Sequence, residues 1–380
     1  MNSFATKLIH WQKDHGRHHL PWQDTRDPYA IWLSEIMLQQ TQVSTVIPYY
    51  LRFLQCFPDI RSLASASLDD VLAQWSGLGY YSRGRNLHRT ACLIIADHEG
   101  VFPRDVEVIR QLPGIGRSTA AAITVFAYGQ QCAILDGNVK RIFARYFGID
   151  GYTGEKKNEI LLWRKAEELL PGEDESNAKN GIEAYTQALM DLGATICTRG
   201  KPKCSSCPLL RGCIAFRDNR TDKLPVPKPR KPLPERETAL LMLMKQGRIF
   251  LEKRPTVGIW GNLWCLPEMA TSENASEHCM RRFGMKVEPL AQMQPFNHTF
   301  THFRLRIHPQ PLQVVSCPSA VTADGSESWI TFDDALRAAI PSPVRKLLIQ
   351  YAGRDHHTPV EKQLLTEGNL VPPSQIAHSG

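Results

Sequence analysis

No uninterrupted apolar run in this 380-residue chain approaches the roughly 18 to 20 residues needed to cross a bilayer. Its first residues carry neither the charged start, the apolar stretch nor the small-residue cleavage site of a secretory signal. Together these absences give the expectation of a cytoplasmic protein with no membrane partner. Strong charge bias is lacking too: 45 Lys and Arg stand against 38 Asp and Glu, a net charge of +7. That mildly basic balance is compatible with nucleic acid or an acidic partner, and selects neither. Hydrophobic content of 42% excludes wholesale disorder and leaves enough apolar side chains for more than one core.

Residues 221–237 break the pattern, with Pro225, Pro227, Pro229, Pro232 and Pro234 set among lysines and arginines. Prolines remove amide donors and favour extended backbone, so this stretch is expected to be a semi-rigid linker. Before it, apolar residues recur at three- and four-residue spacing over 29–50, 68–75, 83–98, 105–112, 117–128, 138–146, 157–170 and 181–193. After it, 238–244, 248–253 and 303–307 read as strands, and 273–283 and 332–339 as helices. The expected architecture is an all-α domain over 1–220, the linker, and an α+β domain over 238–352. The polar, aperiodic stretch 353–380 is expected to be a poorly ordered tail.

Of ten cysteines, Cys56, Cys92, Cys132, Cys265, Cys279 and Cys317 are scattered and suit small core positions. The other four are Cys197, Cys204, Cys207 and Cys213, spaced C-x6-C-x2-C-x5-C. Pro, Lys, Arg and Gly around the central pair are not a core composition. In a chain without a secretion signal, this bunch points to metal before disulfides. Four thiolates suit either a structural zinc or an iron–sulfur cluster, and spacing alone does not choose. Arg199, Lys201, Lys203 and Arg211 make the same loop basic, as phosphate contacts require.

The run Leu112-Pro-Gly-Ile-Gly-Arg-Ser-Thr-Ala120 reads as a helix stop and immediate restart. Gly114 and Gly116 permit a tight path, and the amides that follow could hold one DNA phosphate; an ordinary helical corner is the plainer alternative. Asp136 sits before a helix in Ile134-Leu-Asp-Gly-Asn-Val-Lys-Arg141. As an N-cap it would receive amide donors, which should lower its pKa and keep it ionised. Glu35 lies on or beside the apolar stripe of Ile31, Trp32 and Leu38, where desolvation should raise its pKa. Two carboxylates in opposite settings match acid-assisted cleavage of a glycosidic bond: one donates a proton, the other stays negative beside an electron-poor sugar.

Taken with Leu33-Ser-Glu-Ile-Met-Leu-Gln-Gln-Thr-Gln-Val43 and Gly77-Leu-Gly-Tyr-Tyr81, these motifs and the cysteine loop resemble the adenine DNA glycosylase (MutY) family. That family lies within the endonuclease III superfamily, and the match spans nearly all of 1–220. The resemblance implies a helix-hairpin-helix fold with a [4Fe–4S] cluster on the four cysteines, acting on duplex DNA that contains A·8-oxoguanine or A·G mispairs. It implies Glu35 as the acid that protonates the flipped adenine and Asp136 as the group that stabilises the sugar cation. Ser118 and Asn138 become polar support, Gln187 an adenine contact and Trp22 a pocket wall. Gln40, Leu78 and Tyr80 become groups that wedge into the base stack. Strand-cleaving relatives carry a lysine where this chain has Ser118, which cannot form an imine, so water is the expected nucleophile.

The C-terminal part resembles a Nudix domain, with Gly258-Ile-Trp-Gly-Asn-Leu-Trp-Cys-Leu-Pro-Glu268 near the start of the corresponding box. The cluster of glutamates that would hold metal on a diphosphate is missing from His278-Cys-Met-Arg-Arg-Phe-Gly284, which implies a recognition module without hydrolysis. In Phe296-Asn-His-Thr-Phe-Thr-His-Phe303, Thr301 and His302 are the implied 8-oxoguanine contacts. Two readings compete: a superfamily enzyme acting on pyrimidine lesions or mismatched thymine, and a lesion-binding protein without catalysis. A monomer is the simplest expectation.

Overall fold

Residues 4–172, 181–229, 232–317 and 326–355 are described by the computed structural model, so nearly all of the expected tail lies outside them. The described chain divides into two compact units, one of Met1–Ser65 with Asn86–Arg230 and one of Ala66–Arg85 with Lys231–Gly380. No helix among the described residues is long and apolar enough to cross a membrane.

The first unit is helical. Its core gathers Phe4 and Leu8 of the helix Phe4–His15, Val139 and Phe143 of Gly137–Tyr146, Leu162 of Lys156–Glu168 and Leu189 of Gly181–Asp191. The helix Pro28–Leu38 starts where the Asp27 carboxylate accepts from the Tyr29 amide at 3.0 Å, with Pro28 at a position that needs no amide donor. Tyr29, Ala30, Ile31, Trp32, Leu33, Ser34, Ile36 and Met37 are all buried in it. Glu35 is therefore the one charged side chain of an otherwise enclosed helix.

The single helix expected over 29–50 is in fact two, Pro28–Leu38 and Val43–Cys56. Gln40 takes a left-handed φ of 59° at the break, so it sits in a turn and not on a helix face. Neither Gly nor Pro marks the stop, which is why periodicity runs straight through it. A compensating contact comes from far along the chain: Gln39 Nε2 donates to the Gly114 carbonyl at 3.4 Å.

The second unit holds an eight-stranded sheet ordered β3-β2-β1-β7-β5, with β4 on β1, β6 on β7 and β8 on β2. Its strands are β1 Glu235–Lys245, β2 Arg248–Lys253, β3 Trp264–Cys265, β4 Glu268–Met269, β5 Lys286–Pro289, β6 Phe296–Thr299, β7 Arg304–Ser316 and β8 Glu327–Thr331. Strands β1 and β7 pair in parallel, from Glu235 with Arg304 to Met244 with Gln313, while the other pairs are antiparallel. Thr238 to Met244 is a continuous buried run, as a central strand covered on both faces requires. Ala239, Leu241 and Leu243 point to one face and pack with Phe250, Cys279, Val287 and Leu312. The strand expected over 303–307 extends to Ser316, and the helix Ser342–Asp355 was not anticipated by the sequence pattern.

The helix Leu68–Trp75 and the turn after it belong to this second unit, although they precede the linker by over a hundred residues. Lys253 pairs with Asp69 at 2.7 Å, and Ser76 and Tyr81 both donate to the Ile340 carbonyl, at 3.1 and 2.9 Å.

Candidate active site

The hairpin forms as its residue types demand. Val106–Gln111 stops at Leu112, Gly114 turns at φ 80°, and Gly116 opens the helix Arg117–Tyr128 with no side-chain cap. A Cβ at Gly114 would meet Asn86 at 2.9 Å, whereas one at Gly116 would meet nothing within 4 Å. The first amides of this helix have no side-chain cap, and a helix N-terminus of that kind suits an anion. Ser118 is the second residue of this helix, and its Oγ accepts from the Leu135 amide at 3.0 Å. That bond ties the hairpin helix to the stretch leading into Asp136.

Asp136 caps Gly137–Tyr146, with Oδ1 accepting from the Val139 amide at 2.8 Å. The expectation that these donors lower its pKa is not met. Burial raises it, and the Val139 and Asn138 hydrogen bonds and the Arg141 charge only partly oppose that. Glu35 behaves as expected: burial first, then the charge of Asp136, pushes it up to about 8. The action of Asp136 on Glu35 puts two carboxylates 101 positions apart in sequence in one electrostatic neighbourhood. Asp136 has amide and guanidinium compensation, so it ionises first and Glu35 keeps the proton near neutral pH.

Asn138 presents Oδ1 to Arg141 Nη2 at 2.7 Å, and a Cβ at Gly193 would lie 2.5 Å from the Asn138 Cβ. Gly193 is thus needed for the π-helical turn Leu192–Ile196 to approach the site. Gln187 donates to Asp191 at 2.9 Å, and the fully buried Asp191 is paired with Arg17 at 2.7 Å. Trp22 is buried edge-on to Tyr50, with ring centroids 5.4 Å apart.

The four thiols of the C-terminal loop of this unit are free and half-buried. Burial above all, with smaller contributions from Cys197, Cys213 and Cys204, pushes Cys207 up to about 12, so the four share one locality. Among the described residues, no three ligand-type side chains converge tightly enough to hold a single metal ion. Arg141 and Arg145, which the motifs did not single out, organise this loop. Arg141 Nε donates to the Cys197 carbonyl at 2.7 Å. Arg145, 3% exposed, donates to Leu224 O and Thr198 O at 2.7 Å and to Cys197 Sγ at 3.4 Å. Their four-residue spacing on one helix was the available signal. Arg145→Ala strands buried carbonyls and should destabilise this unit by roughly 3 to 5 kcal/mol, measured by denaturant unfolding.

In the second unit, Gly77, Gly79 and Tyr80 all take positive φ (100°, 76° and 49°), so the turn is sharply bent. Leu78 is buried, while Tyr80 is 47% exposed. Thr301 and His302 are exposed at the tip between β6 and β7, where Phe300 stacks on Phe303 at 4.6 Å. In the same unit Glu252 pairs with Arg282 at 2.6 Å, and Glu268, at the end of the Nudix-like box, with Arg254 at 3.1 Å.

A helical hairpin whose second helix opens without a side-chain cap, together with a buried acid and a second carboxylate, is the arrangement expected of a base-excising DNA glycosylase. Residues 33–168 match the family model described as the HhH-GPD superfamily base excision DNA repair protein, and 238–350 match the NUDIX domain. The chain is 37% identical to the adenine DNA glycosylase of Buchnera aphidicola subsp. Acyrthosiphon pisum, over 91% of this chain and 96% of that protein. Against the adenine DNA glycosylase of Homo sapiens the identity is 31%, over 94% and 76%. A solved thermostable thymine-DNA glycosylase superposes with a TM-score of 0.51 at 30% identity, over 57% of this chain and 95% of that one. The chain belongs to the adenine DNA glycosylase family, enzymes of base-excision repair that hydrolyse N-glycosyl bonds.

Proposed function

We propose that this enzyme, acting as a monomer, excises adenine paired with 8-oxoguanine or guanine in duplex DNA, with Glu35 as general acid and Asp136 as stabiliser of the sugar cation. The observation that carries the chemistry is the pair itself. A proton held on Glu35 to about pH 8 is available to an adenine ring nitrogen, and a neighbouring Asp136 that ionises first supplies the negative charge. Ser118 holds the approach to Asp136, Asn138 supports it, and water completes the hydrolysis. Gln187, oriented by Asp191, contacts the extruded adenine, and Trp22 backs the pocket.

Gly114 and Gly116 seat a phosphate of the duplex. Gln40, Leu78 and Tyr80 enter the stack, Gln40 and Tyr80 from exposed positions and Leu78 from a buried one. Thr301 and His302 read 8-oxoguanine. A short duplex with a single A·8-oxoguanine pair, assayed for free adenine, tests the reading; release of thymine or a pyrimidine lesion in preference would replace it. The solved thymine-DNA glycosylase covers only 57% of this chain, whereas the adenine-specific relatives align through the second unit as well.

Cys197, Cys204, Cys207 and Cys213 fit a [4Fe–4S] cluster: four free thiols in one locality, with guanidinium donors that offset thiolate charge. Such a cluster would crosslink the loop and so hold Arg199, Lys201, Lys203 and Arg211 toward the DNA backbone. Protein purified without oxygen should carry about four irons and four sulfides per chain and absorb broadly near ~400 nm. Stoichiometric zinc without iron would reverse the assignment.

A further inference from the structure

Two features assigned to the orphaned base, the turn over 77–81 and the loop carrying Thr301 and His302, lie in the same unit and are joined through a third. Arg85 follows the turn directly: its amide donates to Tyr81 O at 3.1 Å, and its Nη1 donates to the Gly261 carbonyl at 2.9 Å. Gly261 has no slack, since a Cβ there would lie 2.5 Å from Thr256 O and its neighbours Trp260 and Asn262 are both left-handed, at φ 58° and 61°. The buried Trp260 ring lies 6.1 Å from His298 and 5.6 Å from Phe300. His298 meets Phe300 edge-on at 4.7 Å, and Phe300 stacks on Phe303, which brackets Thr301 and His302. Close-packed rings and a left-handed turn transmit displacement because neither has space to yield.

We propose that Arg85 is a positioning residue that fixes the wedge turn to the lesion-reading loop through Gly261 and Trp260, so that the two meet the orphaned base as one rigid piece. The inference rests on the 8-oxoguanine reading above. The turn has separate anchors in Ser76 and Tyr81 on Ile340 and in Arg345 on Ser76 at 2.9 Å, so it keeps its own fold when the Arg85 link is cut. What the link adds is register between wedge and reader.

The test uses the full-length, cluster-loaded enzyme with Arg85→Met, which keeps the aliphatic stem and removes the donors, and Arg85→Lys, which restores one. Single-turnover excision is measured on A·8-oxoguanine and A·G duplexes, together with fluorescence of a 2-aminopurine placed beside the orphaned base, which brightens when unstacked. Arg85→Met should lower the ratio of the two rates by about three- to ten-fold and abolish the extra brightening opposite 8-oxoguanine. Arg85→Lys should recover most of both. Equal slowing on both duplexes with the brightening retained would make Arg85 a structural residue and overturn the proposal, as would an unchanged ratio. A wild-type enzyme with no preference between the duplexes would remove the 8-oxoguanine reading and this inference with it, an outcome visible before any variant is compared.

Discussion

Glu35→Gln should abolish measurable adenine release while leaving duplex binding nearly intact. Gln matches the size and hydrogen-bonding reach of the acid but has no proton to give, and general acid catalysis is worth about 10² to 10⁴ in rate. Single-turnover excision within ten-fold of wild type would remove Glu35 from the chemistry. A pH arm separates this from a packing effect. Because burial and the Asp136 charge raise Glu35 to about 8, excision should fall as pH rises through that value. The sign for stability follows from the same displacement. A carboxyl whose folded pKa lies above its usual 4.5 contributes stability fully below that value, and the contribution is lost as pH rises through about 8. A tenfold change in proton affinity is worth about 1.4 kcal/mol, so ionised Glu35 costs the native state roughly a few kcal/mol in alkali. Glu35→Gln should therefore melt higher than wild type near pH 9, where it is inactive, and the two should converge near pH 5.

Ending the chain after Lys228 should separate excision from lesion preference. The hairpin, both carboxylates and all four cysteines precede that point, so the shortened protein should hold its cluster and still release adenine from A·G. Thr301 and His302 go with the removed part, and the preference for A·8-oxoguanine should drop about ten- to a hundred-fold, the scale of one or two lost base contacts. The fold adds a cost that the sequence did not announce. Ala66–Arg85 loses Lys253, Gly261, Ile340 and Arg345 as partners. A lower melting temperature and faster proteolysis within 66–85 are expected alongside the loss of preference. Equal loss on both mispairs with the cluster intact would make the second unit a general DNA clamp.

Much of this was present in one dimension. Arg117–Tyr128 and Leu68–Trp75 were bounded correctly because a glycine or serine marks the start of each and apolar spacing fills the interior. Glu35's raised pKa followed from its place on or beside the apolar stripe of Ile31, Trp32 and Leu38, a statement about neighbours one helical turn away. Such features depend on local spacing, which backbone geometry converts directly into proximity.

Asp136 shows where that ends. Its amide donors were legible, because an N-cap is local; its burial was not, because the enclosing side chains come from distant segments, and burial wins. The break at Gln40 has no breaker residue and is accompanied by a contact between Gln39 and a hairpin seventy-five positions away. The placement of 66–85 with the strands, not the helices around it, depends on carbonyls and carboxylates hundreds of residues apart. By itself, the sequence determined which helices and motifs form, the family and the chemistry its two carboxylates favour. Only the tertiary structure decided that Asp136 is buried deeply enough for its pKa to rise and which elements share a unit, because both depend on what long-range packing encloses.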